Sequence, residues 1–170
     1  MPISPYIRSI RERIGNQLLF MPSVSAIIIN ADGQNLLAFH TDRNVWGTIG
    51  GAIDPFEQPE EAVAREVREE TGLVVEVQGL VGVFSGPEFV VEYPNGDRTL
   101  YLSVAYRCRI IGGELQPDGE EISEARFFSP EELPMVPMPA HVQILVQAGM
   151  AAAGRQCPTS RHHPEKEELD

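Results

Sequence analysis

At 170 residues and a formal net charge of -12, the chain fits one domain, which at this size buries about 70 % of the surface its unfolded form exposes. An acidic domain repels the backbone of long nucleic acids, whose binding draws on a basic footprint, but it still suits a small phosphorylated ligand clamped through metal. Two cysteines, Cys108 and Cys157, indicate no disulfide framework and point to a reducing cytoplasm; no secretion signal or membrane span is expected, because no apolar run approaches the roughly 20 residues required.

In chain order, Ser4 and Pro5 read as cap and first helical position, after which Ile7, Ile10 and Ile14 repeat at helical spacing until Gly15. This predicts a short amphipathic helix ahead of the main domain. Its apolar stripe packs on the domain or on a second subunit, so a homodimer is one expectation; with few turns and few basic residues it does not suit a membrane. Val24 to Ile29, the turn pair Asp32-Gly33 and Leu36 to Phe39 predict a hairpin, so two strands precede the central helix. Pro59 suits the start of that helix, with Glu61 as the far half of a capping pair with Gln58 and Gly72 as its left-handed stop. Val74 to Phe84 follows as a strand; Asn95-Gly96 marks a second hairpin leading into Leu100 to Ile111, and Ser123 to Phe128 reads as one more strand. Ser129-Pro130-Glu131-Glu132 starts a short helical turn, and Ala140 to Met150 forms a terminal helix. This order suggests an α+β layered domain with a mixed sheet between helices. Residues 155–170 are polar and charged without apolar period, which predicts a disordered tail in which His162-His163 has no role.

The chemistry concentrates in residues 51–73, which read Gly-x5-Glu-x7-Arg-Glu-Val-x-Glu-Glu-x-Gly-Leu and fix Gly51, Glu57, Arg65, Glu66, Val67, Glu69, Glu70, Gly72 and Leu73. At typical residue usage such a pattern recurs by chance about once in 10^9 windows. The segment alone carries a charge of -5. Glu66, Glu69 and Glu70 stand at i, i+3 and i+4, so on a helix they share one face, where like charges destabilise by a few tenths of a kcal/mol per pair. Val63 and Val67 lie beside that arc, so the carboxylates border the buried stripe. A hard divalent cation with oxygen ligands is the usual partner of such a cluster, and Mg2+ keeps waters that phosphate oxygens can replace.

This constellation resembles the Nudix box, and the order of elements is similar to that family's from about Pro22 to Pro134. The resemblance implies an α/β/α sandwich with a mixed sheet and a Mg2+-dependent or Mn2+-dependent hydrolase of a nucleoside diphosphate linked to another moiety. It also implies that Glu66, Glu69 and Glu70 hold metal and activate water, that Glu57 is the first box glutamate, that Arg65 orients the glutamates, and that the Gly50 carbonyl is a further ligand. The chain divides accordingly into an N-terminal helical extension at 1–20, the hydrolase domain at 21–154 and the tail at 155–170. Two positions depart from the family's common form: Ile49-Gly50-Gly51 stands where Pro-Gly-Gly is frequent, and Phe56-Glu57 where Gly-Glu is frequent. Phe56 does not easily take the positive φ open to glycine.

Hydrolysis of a diphosphate needs an attacking water and stabilisation of charge on the phosphoryl oxygens, with positioning supplying most of the catalysis. Glu66 is the expected base, with Glu57 or Glu121 as substitutes. Glu121, beside Glu120 in the loop before the Ser123 strand, lies where related folds often place an additional metal or base glutamate. Arg43 and Arg98, near turns, are candidate phosphate contacts because a guanidinium grips phosphate bidentately. Trp46 and Tyr93 are candidate stacking partners for a nucleobase, whereas Phe84 suits the core. Pro87 of Ser85-Gly86-Pro87 lies 14 positions after Leu73, a distance at which family members acting on ADP-ribose often carry proline. Members acting on dinucleoside polyphosphates tend to carry a tyrosine there, and here the nearest, Tyr93, lies 20 positions after Leu73. The substrate expectation is therefore an ADP-linked sugar. The alternatives are a nucleoside triphosphate pyrophosphatase that cleans the nucleotide pool, and a nucleotide-binding module without turnover.

Overall fold

A computed structural model of the chain describes residues 4–154; the expected tail at 155–170, with His162-His163 and Cys157, lies outside the described residues. Helix α1 spans Pro5–Ile14, and strands β1 (Leu19–Ile28), β2 (Asn35–His40) and β3 (Val45–Gly47) precede helix α2 (Pro59–Thr71). Strands β4 (Leu73–Phe84), β5 (Val90–Glu92), β6 (Arg98–Gly113) and β7 (Ile122–Phe128) follow, and helix α3 (Ala140–Ala153) comes last.

Two sheets result. One runs β1-β6-β4 with β5 also on β6, and is mixed because β1 and β6 are parallel while β4 and β5 are antiparallel to β6. The other, β3-β2-β7, is antiparallel. The period of two along β1 builds the layers. Val24, Ala26 and Ile28 bury against Ala62, Val63 and Val67 of α2, whereas Ile27 faces Leu145 of α3. Ile27 and α3 approach so closely that a Cβ on Gly149 would stand 2.4 Å from Ile27 Cγ2. Helices therefore cover opposite faces of the mixed sheet, and the expected α+β sandwich stands.

Two expectations are corrected. Val24 to Ile29 and Leu36 to Phe39 do not form a hairpin: the turn is present, with Asn30 Oδ1 accepting from the N–H groups of Asp32 and Gln34, but β1 and β2 diverge into different sheets and meet only at an Ile29–Asn35 bridge. Three strands, not two, precede α2, since the short β3 pairs with β2 through Trp46 opposite Phe39. The short helical turn expected to start at Ser129-Pro130-Glu131-Glu132 is present, as a 3-10 turn at Leu133–Met135.

α2 begins as its sequence dictates, with Pro59 in the first turn and the Glu61 carboxylate accepting from the Gln58 N–H at 3.3 Å. Gly72 ends it at φ 71°, its N–H bonded to the Arg68 carbonyl at 2.9 Å, and a Cβ there would meet the Glu114 carbonyl at 2.8 Å. That requirement for glycine is both conformational and steric.

Candidate active site

The free edge of β1 is taken by the approach to α2: Ala26 N–H donates to the Ile49 carbonyl at 2.8 Å and Val24 N–H to that of Gly51 at 2.9 Å. Gly50, between them, has φ 149°, and a Cβ there would lie 2.1 Å from the Val24 carbonyl oxygen. Only glycine lets this segment lie flat on β1 and bring its N–H to Glu70 Oε2 at 3.3 Å. The sequence thus fixes a backbone donor against the last turn of the carboxylate helix.

On α2, Arg65 gathers the acids. Its Nε donates to Glu57 Oε1 at 2.7 Å and its Nη2 to Glu57 Oε2 at 2.9 Å, a bidentate fork. Its Nη1 donates to Glu66 Oε1 at 2.8 Å and Glu69 Oε2 at 3.2 Å, and its Nη2 also reaches the Ala52 carbonyl. The hydrogen bonds from Arg65 hold the Glu57 carboxyl below the usual carboxylate range. With both oxygens engaged and Asp54 N–H adding to Oε2, Glu57 braces Arg65.

Glu66 and Glu70 are buried, each 3 % exposed. Burial raises the Glu66 carboxyl to about 7, against the pull of Arg65 and with help from the charges of Glu69 and Glu121. Glu70 is raised well above the ordinary value, by burial first and then by the charges of Glu66 and Glu121. Glu121 is brought to the cluster by its loop: Asp118 Oδ1 accepts from the N–H groups of Glu120, Glu121 and Ile122, and Thr41 holds the Glu120 and Glu121 carbonyls.

Among the described residues, no three His, Cys, Asp or Glu side chains stand ready as a closed ligand set; the carboxylates lie instead on Arg65 and the Gly50 N–H. The donor set still fits a hard divalent cation. It is all oxygen, two of its carboxylates are buried, and their charges oppose one another through Glu121 despite the one guanidinium among them. Glu69, whose side chain is 55 % exposed, is free to turn from Arg65 toward such an ion.

Glu66, Glu69, Glu70, Glu121, Gly50 and Arg65 line a cavity of about 620 Å³, and Arg43 and Tyr93 line it too. The Tyr93 hydroxyl is hydrogen-bonded to that of Tyr101. Glu57 stands behind Arg65, outside the lining, and the other two candidate substrate contacts lie apart. Trp46 packs edge-on against Phe39 and Phe128, with centroids 5.4 and 4.7 Å away, beneath the Arg126 guanidinium, and Arg98 pairs with Glu92 at 3.1 Å on the β5–β6 hairpin; neither lines the cavity. Phe84 stacks on Phe89 in the core beside α3. Pro87 opens a 3-10 turn, Pro87–Phe89, entered through Gly86 at φ 123°, and that turn sets Phe89 into the cavity wall.

Sequence reasoning missed His40, His141 and Tyr101, which also line the cavity. Burial, then Arg43, lowers both histidines to about 4, so both are neutral. His40 Nε2 lies 3.2 Å from the Thr48 carbonyl, and its ring leaves no room for a Cβ on Gly47. The alternation Thr99, Tyr101, Ser103 along β6 carries a signal for a polar face, whereas the two histidines are joined only by the fold.

Known proteins are similar to the chain in sequence and in fold. The chain is 41 % identical over 110 residues to the ADP-ribose pyrophosphatase of Methanocaldococcus jannaschii, a match covering 63 % of this chain and 61 % of that protein. It is 31 % identical over 121 residues to the putative 8-oxo-dGTP diphosphatase of Bacillus subtilis, covering 71 % and 74 %. A crystal structure of an ADP-ribose pyrophosphatase from Streptococcus suis superposes with a TM-score of 0.65 at 27 % identity, covering 81 % of this chain and 94 % of that one. The profile of the NUDIX domain matches residues 19–146, from the first residue of β1 into α3, and with the carboxylate helix inside that span the chain belongs to the Nudix hydrolase family.

Proposed function

We propose that the chain hydrolyses the diphosphate linkage of a small nucleoside diphosphate derivative, with an ADP-linked sugar as its best substrate. The observation that supports this most is the cluster of mutually repelling carboxylates Glu66, Glu70 and Glu121, the first two buried, at the wall of a nucleotide-sized cavity. Glu66, Glu69, Glu70, Glu121 and the Gly50 carbonyl would hold Mg2+ or Mn2+. Such an ion supplies a lowered pKa for bound water and neutralises phosphate charge.

The chain's own groups do the rest. Glu66, on the cavity wall beside Glu69 and Glu70, takes the proton of the attacking water. Arg65, braced by Glu57, keeps the carboxylates in register. Arg43, on the cavity wall, meets phosphate oxygens as a donor, and Tyr101 offers its hydroxyl to the sugar. The same reading includes a cytoplasmic location, no long nucleic acid as partner and no membrane association; among the described residues no helix is long and apolar enough to cross a membrane.

The names of the relatives in Methanocaldococcus jannaschii and Streptococcus suis favour ADP-ribose. The Bacillus subtilis relative, a putative 8-oxo-dGTP diphosphatase, supports triphosphate pyrophosphohydrolysis as a second reading. The test is a panel of ADP-ribose, other ADP-sugars, dinucleoside polyphosphates and triphosphates with Mg2+ or Mn2+, resolving products by chromatography. AMP and a sugar phosphate are expected, with the highest kcat/KM on an ADP-sugar. A triphosphate such as dGTP cleaved tenfold more efficiently, about 1.4 kcal/mol in transition-state stabilisation, replaces the first reading by the second; no turnover of any member leaves a binding module.

A further inference from the structure

The segment matched by the NUDIX profile begins at residue 19, and α1 precedes it. Yet Ser4, Pro5, Ile7 and Arg11 line the same cavity as the carboxylates. One side chain fixes the helix there. Arg11 Nη1 donates to the carbonyls of Gly15 and Gln17 at 3.3 and 2.9 Å, and its Nη2 donates to the Arg98 carbonyl and Thr99 Oγ1, both at 2.8 Å. Its Nε lies 3.8 Å from an Asp97 oxygen, and only 12 % of the side chain is exposed. Arg11 thus ties the end of α1, the link to β1 and the start of β6 to one another. The β5–β6 turn closes on the same link, since a Cβ on Gly96 would stand 2.7 Å from Asn16 Nδ2.

The cavity floor follows alternate residues of β1 and β6. Ser25, against which Gly50 packs, marks the carboxylate end, and Leu19 lies six residues away along β1, about 20 Å of strand. Near the carboxylates the floor is hydroxylated, with Ser25 Oγ and Ser103 Oγ 2.9 Å apart. Toward α1 it carries aliphatic side chains, with Leu19 and Met21 on the floor and Ile7 on the wall, beside the polar groups of Arg11, Asn95, Asp97 and Thr99. A sugar would set its hydroxyls against three aliphatic side chains there, whereas a nucleobase presents flat apolar faces to them and its polar rim to Thr99 and Tyr93.

Resting on the reading that this cavity takes the nucleotide, we propose that α1 is its specificity wall: Arg11 positions the helix, and Ile7, with Leu19 and Met21, receives the nucleobase at the end remote from the carboxylates.

The test compares Ile7→Ala and Arg11→Ala with wild type on two series built around whichever nucleotide the wild type cleaves best. One series varies the base at a fixed leaving group, the other the leaving group at a fixed base. Expected for both variants is a KM raised about tenfold on the preferred base, with kcat changed less than about threefold, and discrimination among bases reduced about tenfold while that among leaving groups holds. Unchanged KM in Ile7→Ala overturns the proposal, as does altered discrimination among leaving groups with that among bases intact, or a fall in kcat at constant KM. If Arg11→Ala does not fold, Ile7→Ala, a truncation at a partly exposed position of α1, decides alone. Failure of the ADP-sugar reading shows in the wild type's own preferences, separately from these ratios.

Discussion

Replacing Phe56 by glycine should stabilise the protein. Asp54, Pro55, Phe56 and Glu57 form a turn closed by the Glu57 N–H on the Asp54 carbonyl at 3.1 Å, with Phe56 at φ 72°. Proline second and a positive φ third is the pattern of a type II turn, whose third position favours glycine. The ring is fully exposed, so its loss removes no packing. Holding a residue with a Cβ in the left-handed region costs about 1–2 kcal/mol, and the greater unfolded freedom of glycine offsets about 0.5–1 kcal/mol of the relief. The net gain is about 0.5–1 kcal/mol, which for a chain of this size raises Tm by about 1–4 °C. Differential scanning calorimetry on Phe56→Gly and Phe56→Ala checks this. Alanine keeps the Cβ and the strain, so its Tm should stay close to wild type. A fall of about 2 °C or more in Phe56→Gly, or equal gains in both variants, refutes the reasoning.

Glu70→Gln should cut turnover about a hundredfold or more at saturating Mg2+, since it removes charge from the cation site, and retention of a tenth of the wild-type rate would remove Glu70 from that role. The same variant tests pH dependence without metal. The folded Glu70 carboxyl is raised above its ordinary 4.5, so the native state binds the proton more tightly and wild type loses stability as pH rises above that value. The stability advantage of Glu70→Gln, followed by urea denaturation in EDTA, should therefore be absent below pH 4.5 and grow as pH rises; a constant difference contradicts the assignment. Arg65→Lys should lower kcat about tenfold or more, because an ammonium cannot replace the fork on Glu57 while reaching Glu66 and Glu69, and unchanged kinetics would reduce Arg65 to a surface residue. Gly50→Ala should cost about 3 kcal/mol or more, given the 2.1 Å approach to the Val24 carbonyl; a wild-type denaturation midpoint would show that the segment does not lie on β1.

What the sequence determined by itself is what local spacing encodes. The i, i+3, i+4 placement of Glu66, Glu69 and Glu70, the caps of α2 and the Asn95-Gly96 turn depend on residues within one or two turns of each other, and all stand in the fold as read. The apolar run from Val24 to Ile29 likewise predicted a strand, but not which sheet it joins. Its partner, β6, lies some eighty positions onward, and a parallel pairing leaves no turn signal; the Asp32-Gly33 turn therefore suggested a hairpin that the two sheets pull apart. Only the tertiary structure decided which isolated residues meet. Arg43, His40, His141 and Tyr101 converge on one cavity from β2, its following turn, α3 and β6, while Trp46, equally plausible in the sequence, turns into the core against Phe128 because β3 pairs with β2. The place of α1 was decided in the same way. Its stripe of isoleucines announces an amphipathic helix, but the acceptors that hold Arg11, chiefly the Arg98 carbonyl and Thr99 Oγ1, exist only once β6 has formed, because a side chain's partners across the chain are set by the sheet that carries them and not by its neighbours in sequence.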